Sequence, residues 1–398
     1  MMNASYDMIV VGAGPAGSTA ARLAAEGGLD VLLIEKHQEI GSPVRCAEAV
    51  GQETLRPYIV PDERWINAHI DLYAIYNSAG DSVVVPPTEP TLVLERKIFD
   101  RELAYLAAQA GCTVQAKTSA VGLLREHERV VGVRIEQRGQ IRDIRAKIVI
   151  AADGTESQVA RWAGLKTVPS LTDYYVGAEF LLSLRGQAID PTRCQYHIGP
   201  TIAPGGYAWV FPKGRQMANV GLVVSGENKG NGSAYAYLEQ FVQRVFPGAS
   251  ILSEITGGIP ISGALKRLVT DGLMVIGDAA HQADPLTAGG INLAMIAAEM
   301  ATTVAIKAVR SGDVSANVLR AYESAWHRRF DDQHNALYRM RKFFSGMDEQ
   351  QINGLIKTAS ELRLDEMTPK HVLLTLFKSH PRLLLEATTL ITTGLILK

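Results

Sequence analysis

The chain has 398 residues, of which 47% are hydrophobic and 20% charged, and its formal net charge at neutral pH is -1. This composition describes a globule with a sizeable core and excludes a nucleic-acid partner or a globally basic surface for binding membranes. The 3 cysteines lack metal-ligand spacing and favour a reducing compartment over a disulfide framework. We find neither room for a signal peptide nor an uninterrupted apolar run of roughly 20 residues, and we therefore expect a cytoplasmic protein.

The chain begins with a strand, a glycine-rich turn, an Ala-rich helix and a second strand. Gly12 permits the tight turn, Gly14 lets a pyrophosphate approach the backbone, and Gly17 lets the helix pack closely on the strand. The phosphates then lie at the helix N-terminus, where backbone N–H groups are unpaired. Glu35 ends the second strand about 20 residues further on, where a carboxylate binds ribose hydroxyls. This order predicts a dinucleotide site but does not separate NAD from FAD.

The later elements predict that the dinucleotide domain is discontinuous. Strands near residues 8, 30, 147 and 273 belong together, with a substrate domain inserted between them. The predicted boundaries are residues 1–70, 95–165 and 265–315 for the dinucleotide domain, 71–94 and 166–264 for the substrate-binding β-sheet domain, and 316–398 for a helical C-terminal region. Such interleaving places the active site at the seam between the two units.

A second motif favours a flavin over a nicotinamide. Between Leu273 and Met295, an apolar strand ends at Gly277, Asp278 follows it, and a Pro/Gly-rich turn opens a helix. An acid at that point can hydrogen-bond a ribityl hydroxyl, and the amides at the helix start can stabilise negative charge on the flavin ring. Taken alone, Gly277 and Asp278 are as typical of an ordinary cap between a strand and a turn as they are of a flavin site.

With residues 151–165, these motifs resemble the FAD-binding motifs of the glutathione-reductase-type flavoproteins, in the branch shared with aromatic hydroxylases. The resemblance implies an α/β fold with a Rossmann-like FAD-binding domain, an inserted β-sheet substrate domain and a helical C-terminal region. Arg96 matches an arginine on the flavin side of such pockets; alternatively, it is an exposed residue paired with Glu95 or Asp100. The residues implied to bind FAD are Gly12, Gly14, Ala16, Gly17, Glu35, Lys36, Arg45, Cys46, Ala47, Arg96, Asp153, Gly277, Asp278, Gly289, Gly290 and Ile291.

Two further segments resemble the geranylgeranyl reductases. Residues 42–50 are similar to their Pro-x-x-Cys motif, and residues 206–214 to their Tyr-x-Trp-x-Phe-Pro motif. The helical C-terminal part also fits the archaeal members that act on digeranylgeranylglycerophospholipids. Alanines stand at Ala47 and Ala49, where that subgroup usually has glycine, and the glycine run within residues 287–290 is shorter than usual. These added methyl groups are expected to affect the choice of substrate, and they do not argue against membership of the family.

The resemblance implies FAD-dependent reduction of isolated double bonds in geranylgeranyl chains of archaeal ether-type lipids. No carbonyl polarises such an alkene, so a hydride must reach one carbon while a proton reaches the other. The resemblance makes Cys46 the candidate proton donor, because a thiol tolerates an apolar pocket; the alternative is a buried structural cysteine. Glu48 either orients the thiol, relays a proton, or is a solvated loop residue. Arg45 contacts the cofactor or an anionic head group, or is a surface residue.

Three aromatic residues alternate along one predicted strand and therefore project to the same face. Tyr207 and Trp209 are expected to line a channel for the prenyl chain. Phe211 is a third candidate for substrate binding, although an ordinary place in the sheet core suits it better. We expect His281 to make a local hydrogen bond rather than to relay protons.

The expected partners are a prenylated lipid and an electron donor, which is a ferredoxin, a deazaflavin or NAD(P)H. Apolar clusters within residues 367–398 favour a helix docked on the substrate domain, with peripheral contact at the inner face of the membrane as the alternative. A flavin monooxygenase or halogenase on the same fold is the second function considered; Tyr207, where halogenases carry tryptophan, argues against it. The third is a prenyl-binding protein that has lost its flavin, which the retained Asp278 argues against.

Overall fold

The computed structural model describes residues 2–227 and 232–361. The strands are β1 (Ser5–Val11), β2 (Val31–Ile34), β3 (Ala49–Gly51), β4 (Ile66–Ile70), β5 (Leu72–Tyr76), β6 (Ser82–Val85), β7 (Thr91–Leu94), β8 (Thr113–Gln115), β9 (Thr118–Glu126), β10 (Arg129–Gln137), β11 (Gln140–Ala151), β12 (Tyr174–Ser183), β13 (Arg193–Ile198), β14 (Tyr207–Pro212), β15 (Met217–Ser225), β16 (Ser250–Pro260), β17 (Val269–Thr270) and β18 (Leu273–Val275). The α-helices are α1 (Pro15–Glu26), α2 (Gln52–Leu55), α3 (Arg96–Gln109), α4 (Gln158–Trp162), α5 (Ala234–Val245), α6 (Ile291–Ser311), α7 (Ala316–Ser345) and α8 (Glu349–Ser360). Short 3₁₀ turns cover Gly154–Glu156, Leu171–Asp173 and Gly277–Ala280.

The first sheet has the order β17-β18-β11-β1-β2-β8, with β10 and β9 attached through β11. Its central strands β18, β11, β1, β2 and β8 run parallel, which confirms the predicted grouping of strands near residues 8, 30, 147 and 273. A strand that is covered on both faces has a continuous run of apolar residues in its sequence. Strand β2 is an example, because all four of its residues are apolar and buried. Helix α1 covers this sheet together with α3 and α6.

The register of the first sheet brings the predicted cofactor residues to one edge. Val11 pairs with Ile34 on one side and Ala151 on the other, and Ala151 pairs with Val275. The segments that follow these four strands therefore leave the sheet side by side at its carboxyl edge. Ligands of open parallel sheets bind in that position.

The second sheet has the order β16-β12-β15-β14-β13-β5-β6 and is antiparallel except for the β13–β5 pair. One of its faces packs on α5 through residues such as Phe180, Leu222 and Phe241. The other face carries Tyr175, Trp209 and Phe211 and turns toward the first unit. This sheet contains strands from both segments predicted to form the substrate domain.

A small third sheet, β3-β7-β4, joins the two larger units. Its middle strand, β7, lies within residues 71–94, which the sequence assigned to the substrate domain, but it pairs with β3 and β4 from residues 1–70. The division at residue 71 therefore does not follow the pairing of the strands. The predicted domain boundaries otherwise stay a prediction.

Helix α6 is the one segment of the described residues that is long and apolar enough to cross a bilayer by length and composition. It packs instead against α1 and α7, and Ala297, Ala298 and Ala301 are fully buried. Its apolar character is thus that of a core helix. Helices α7 and α8 confirm the predicted helical region for residues 316–360, whereas the rest of that region, with the apolar clusters of residues 367–398, lies outside the described residues.

Candidate active site

A cavity of about 530 Å³ lies at the seam between the first and second sheets. Its walls come from the turn before α1, residues 45–51, strands β12, β14 and β16, and residues 276–294. Part of the lining is rich in glycine, and another part is aromatic. The arrangement suits a ligand that is polar at one end and apolar at the other.

The glycine turn after β1 has the geometry expected for pyrophosphate binding. Gly12 adopts a φ of +101°, and a Cβ there would lie 2.3 Å from the carbonyl oxygen of Ala152. A Cβ on Gly17 would lie 1.8 Å from the carbonyl oxygen of Gly12, so this glycine sets the close approach of α1 to the turn. Gly14 caps α1 and has open space where its Cβ would be, the cradle that a phosphate can fill.

Two carboxylates lie beside this turn. Glu35 accepts hydrogen bonds from the backbone N–H of Ala13 at 2.9 Å and of His37 at 3.0 Å, which holds it against the glycine loop. Asp153 accepts one from the backbone N–H of Val159, but its Oδ1 is buried without a partner. Burial raises the pKa of the Asp153 carboxyl. An orphaned oxygen at this edge fits a cofactor hydroxyl that completes its hydrogen bonds.

The part of the cavity formed by residues 276–294 shows the arrangement expected beside a flavin ring. Gly277 adopts a φ of +66° and lies against Ala16 of α1, so the strand end and the glycine-loop helix meet. Asp278 lines the cavity, and burial raises the pKa of its carboxyl, an effect that Arg96 opposes. Gly290 caps α6, and the N-terminal N–H groups of this helix face the same space.

The remaining predicted cofactor residues divide into two groups. Arg45, Cys46, Ala47, Gly289 and Ile291 line the cavity together with Gly14, Ala16, Gly277, Asp278 and Gly290, whereas Gly12, Gly17, Glu35 and Asp153 lie outside its lining. Lys36, which follows Glu35 in the chain, instead forms an exposed ion pair with Glu156 at 3.0 Å and does not line the cavity.

Cys46 and Glu48 are joined to a buried polar network. The backbone N–H of Glu48 donates to Cys46 Sγ at 3.2 Å, and burial raises the pKa of the thiol, so it stays protonated. The Glu48 carboxylate accepts from Lys213 Nζ at 2.6 Å and from the backbone N–H of Arg96 at 2.9 Å. The side chains of Glu48 and Lys213 are 4% and 2% exposed, so Glu48 is not the solvated loop residue of the alternative interpretation.

Arg96 has features of both roles considered for it, the arginine near the flavin and the arginine paired with Asp100. Its guanidinium forms a bidentate pair with Asp100 at 2.6 and 2.7 Å, as the alternative expected. It is nevertheless only 14% exposed and lines the cavity beside Cys46. Although burial opposes the charge, Asp100 keeps the pKa of Arg96 above its usual range. Arg96 is therefore a fixed positive charge next to the thiol.

Three residues of the network were not predicted from the sequence. Lys213 directly follows the aromatic motif at the end of β14. A lysine at the end of a buried strand is the one sequence signal from which the buried ion pair could have been predicted. Asn219 donates to the carbonyl oxygen of Cys46 at 3.2 Å and to Glu179 Oε1 at 3.0 Å. Glu179 lines the cavity from β12. Nothing in the sequence near Asn219 or Glu179 connects them with residues more than 100 positions away.

The predicted aromatic residues form one wall of the cavity. Tyr207, Trp209 and Phe211 all line it, although Phe211 is also 3% exposed and packed in the sheet core, as expected. Tyr207 donates to the carbonyl oxygen of Thr287, and Trp209 Nε1 donates to Asn219 at 2.9 Å. Tyr73 and Tyr196, which the sequence did not single out, extend the wall.

His281 lies outside the cavity lining and makes local contacts, as expected. Its ring nitrogens lie 3.0 Å from Ser262 Oγ and 2.9 Å from the carbonyl oxygen of Thr167. Burial lowers the pKa of its imidazole, which favours the neutral ring. It is a structural residue at the end of the Gly277–Ala280 turn that contains Asp278.

Comparison with known proteins places this site in a family. Residues 173–259 match the geranylgeranyl reductase catalytic domain, residues 7–170 an FAD dependent oxidoreductase and residues 260–333 an FAD binding domain. The digeranylgeranylglycerophospholipid reductase of Methanosarcina acetivorans is 44% identical over 386 residues, which cover 95% of this chain and 94% of that protein. The chain belongs to the geranylgeranyl reductase family. This membership confirms the resemblance read from residues 42–50 and 206–214.

Other members support the same conclusion. The digeranylgeranylglycerophospholipid reductase of Methanocella arvoryzae is 41% identical over 394 residues, covering 98% of this chain and all of that protein. A crystal structure of a geranylgeranyl bacteriochlorophyll reductase-like protein from Thermoplasma acidophilum has a TM-score of 0.89 and 34% identity, with 98% of this chain and 99% of that one covered. This geranylgeranyl reductase is thus an FAD-dependent oxidoreductase, and the predicted α/β flavoprotein fold and FAD cofactor are confirmed.

The halogenase alternative receives support at the level of fold alone. The structure of the myxobacterial chondrochloren halogenase has a TM-score of 0.70 but 21% identity, with 95% of this chain and 90% of that one covered. Similar architecture at that identity does not carry the reaction across, because function depends on the residues of the site.

Proposed function

We propose that this reductase saturates the isolated double bonds of geranylgeranyl chains in archaeal digeranylgeranylglycerophospholipids. The observation that carries the proposal is a single cavity that joins a glycine-lined cofactor end, a protonated thiol and an aromatic wall. The names of the relatives from Methanosarcina acetivorans and Methanocella arvoryzae support the choice of lipid.

FAD supplies the hydride for the reduction once it has been reduced. The residues that would hold it are the glycine turn with Gly12 and Gly14 at the pyrophosphate, Glu35 at the adenosine ribose, Asp278 at the ribityl chain and the backbone of Gly289 and Gly290 at the ring. The open space at the Cβ position of Gly14 and the buried, unpartnered Oδ1 of Asp153 fit that group. Lys36 is proposed to act at the adenosine end, and Arg45 at the flavin or an anionic head group.

The chain's own residues have three tasks. The wall formed by Tyr207, Trp209 and Phe211 positions an apolar chain and excludes water from the reacting carbons. Cys46 holds the proton, since burial keeps its thiol neutral, and the nearby charge of Arg96 lowers the cost of the thiolate left behind. Glu48 orients the thiol through its backbone N–H.

The direct test is product analysis. Holoenzyme reduced by dithionite under anaerobic conditions is mixed with a digeranylgeranylglycerophospholipid, and the lipid mass is followed. A gain of two hydrogens per double bond is expected, with the fully saturated lipid as the unreactive control. An unchanged lipid mass in the presence of reduced, FAD-loaded protein would overturn the proposal.

Replacing Cys46 by serine is expected to lower the reduction rate by about 100-fold, because a hydroxyl is a far weaker acid than a thiol. FAD content and thermal stability should stay at the wild-type level, since the change removes no large contact. Cys112→Ser, which alters a buried thiol outside the cavity lining, is the matched control for the substitution. A Cys46→Ser rate equal to that of the control would remove Cys46 from the proton path.

The electron donor and the location are further parts of the proposal. A ferredoxin, a deazaflavin or NAD(P)H supplies the electrons. The glycine turn before α1 is assigned to FAD and therefore does not distinguish between these donors.

We propose a cytoplasmic enzyme in peripheral contact with the inner face of the membrane, because its substrate is a membrane lipid. Sedimentation with archaeal lipid vesicles tests this contact, and protein that stays in the supernatant at low salt would contradict it.

A further inference from the structure

A third acidic group faces the cavity beside the thiol and the ion pair. Glu179 lies on β12, is half-buried and contributes to the cavity lining. Its Oε1 accepts from Asn219 Nδ2 at 3.0 Å, and among the described residues no hydrogen bond engages Oε2. The Oε2 atom is thus without a hydrogen-bond partner in a side chain that lines the cavity proposed to hold the substrate.

The surroundings of Glu179 favour its neutral form. Burial raises the pKa of this carboxyl well above its usual range, and the nearby anionic Glu48 adds to the effect. Lys213 and Arg96 oppose it, but both cations already have carboxylate partners in Glu48 and Asp100. A carboxylic acid kept neutral in an apolar site can donate a proton at neutral pH.

Glu179 and Cys46 share one neighbour. The amide of Asn219 donates to Glu179 Oε1 and to the carbonyl oxygen of Cys46, so a single side chain holds both residues. Trp209 in turn donates to Asn219 and fixes its orientation. The two groups are also coupled electrostatically, because ionisation of Glu179 raises the pKa of the Cys46 thiol. The two proton-bearing groups are thus parts of one rigid network at the same wall.

We propose that Glu179 restores the proton that Cys46 gives to the substrate, so that the two residues form a proton relay. The inference rests on the proposed function. In each reduction the Cys46 S–H bond breaks as a C–H bond forms on one alkene carbon, while the other carbon takes its hydride from reduced FAD. The O–H bond of Glu179 then breaks and its proton neutralises the thiolate. The Glu179 carboxylate, which is only half-buried, takes a proton back from bulk solvent, so each reduction consumes one solvent proton.

The chemistry explains why such a second acid is needed. A thiolate in this cavity is costly, since burial disfavours the charged sulfur, and each lipid presents several double bonds in succession. Water is a slow proton source in a site that excludes it. The neutral carboxyl of Glu179, which shares Asn219 with Cys46, can reset the thiol, whereas the Glu48 carboxyl is already paired with Lys213.

The test separates the first turnover from the later ones. Reduced FAD-loaded Glu179→Gln is mixed anaerobically with excess digeranylgeranylglycerophospholipid and dithionite, and product is sampled rapidly. We expect a burst of about one saturated bond per enzyme at the wild-type rate, followed by a steady rate lowered about tenfold. Glu179→Asp, which keeps the acid, should restore part of the steady rate, and Glu254→Gln on the exposed neighbouring strand β16 is the matched control.

A spectroscopic measurement checks the relay without turnover. The infrared spectrum of the holoenzyme at neutral pH should contain a protonated-carboxyl band that Glu179→Gln lacks and Glu254→Gln keeps. Absence of this band in the wild type, a wild-type steady rate in Glu179→Gln, or a burst slowed as much as the steady rate would overturn the relay. Wild-type enzyme that leaves the lipid unreduced would instead refute the proposed function itself.

Discussion

Replacing Gly17 by alanine is expected to abolish FAD binding and to lower the free energy of unfolding by about 3 kcal/mol. The added Cβ would lie 1.8 Å from the carbonyl oxygen of Gly12 and 3.3 Å from the Cβ of Ala152, and both neighbours are held by the first sheet. Helix α1 must then move away from the turn that holds the pyrophosphate. Thermal denaturation and FAD titration of the purified apoprotein measure the two effects.

Gly14→Ala is the matched control for this substitution. Its Cβ would meet no protein atom within 4 Å, and its φ of -75° suits alanine. The apoprotein should therefore keep its wild-type stability, whereas FAD affinity should fall by about tenfold or more because the methyl group enters the phosphate cradle. Equal FAD affinity for Gly14→Ala and wild type would show that the phosphates do not approach this residue.

Replacing Lys213 by methionine is the second change with a large expected effect. It leaves the Glu48 carboxylate buried without its cation, and breaking a buried pair in this way costs about 3–5 kcal/mol. Glu48 also positions Cys46, so the reduction rate should fall together with the stability. Chemical denaturation of the apoprotein measures the first effect, and product formation by the holoenzyme measures the second.

A double substitution separates charge from packing at this site. Lys213→Met combined with Glu48→Gln removes both charges and should recover most of the lost stability. Lys307→Met, on the exposed side of α6, controls for the loss of a lysine. If the double variant is no more stable than Lys213→Met alone, the lysine contributes through its packing rather than through the ion pair.

The cofactor end of the site was predictable because its signals are local. Gly12, Gly14 and Gly17 lie within six residues, and the turn geometry that they require follows from sterics alone. The same holds for Gly277 and Asp278 at the end of β18. The order of buried strands, together with the preference of parallel strands for helical crossovers, then predicts that these segments meet at one sheet edge.

The substrate end was predictable only in part. The alternation along β14 placed Tyr207, Trp209 and Phe211 on one face, but periodicity does not say whether that face borders a cavity or a core. Glu179 reaches Asn219 through the register of β12 and β15, which local sequence does not encode. Pairing between distant strands depends on the whole fold, and so the buried network had to be found in the structure.

The flavin absorbance gives the most direct test of the proposed reduction. Holoenzyme is bleached with one equivalent of reductant under anaerobic conditions and then mixed with a geranylgeranylated lipid. We expect the oxidised flavin absorbance to return without oxygen, in step with saturation of the lipid, and we expect the saturated lipid to have no such effect. Flavin that stays reduced until air is admitted would contradict the proposed reduction and would favour a monooxygenase on the same fold.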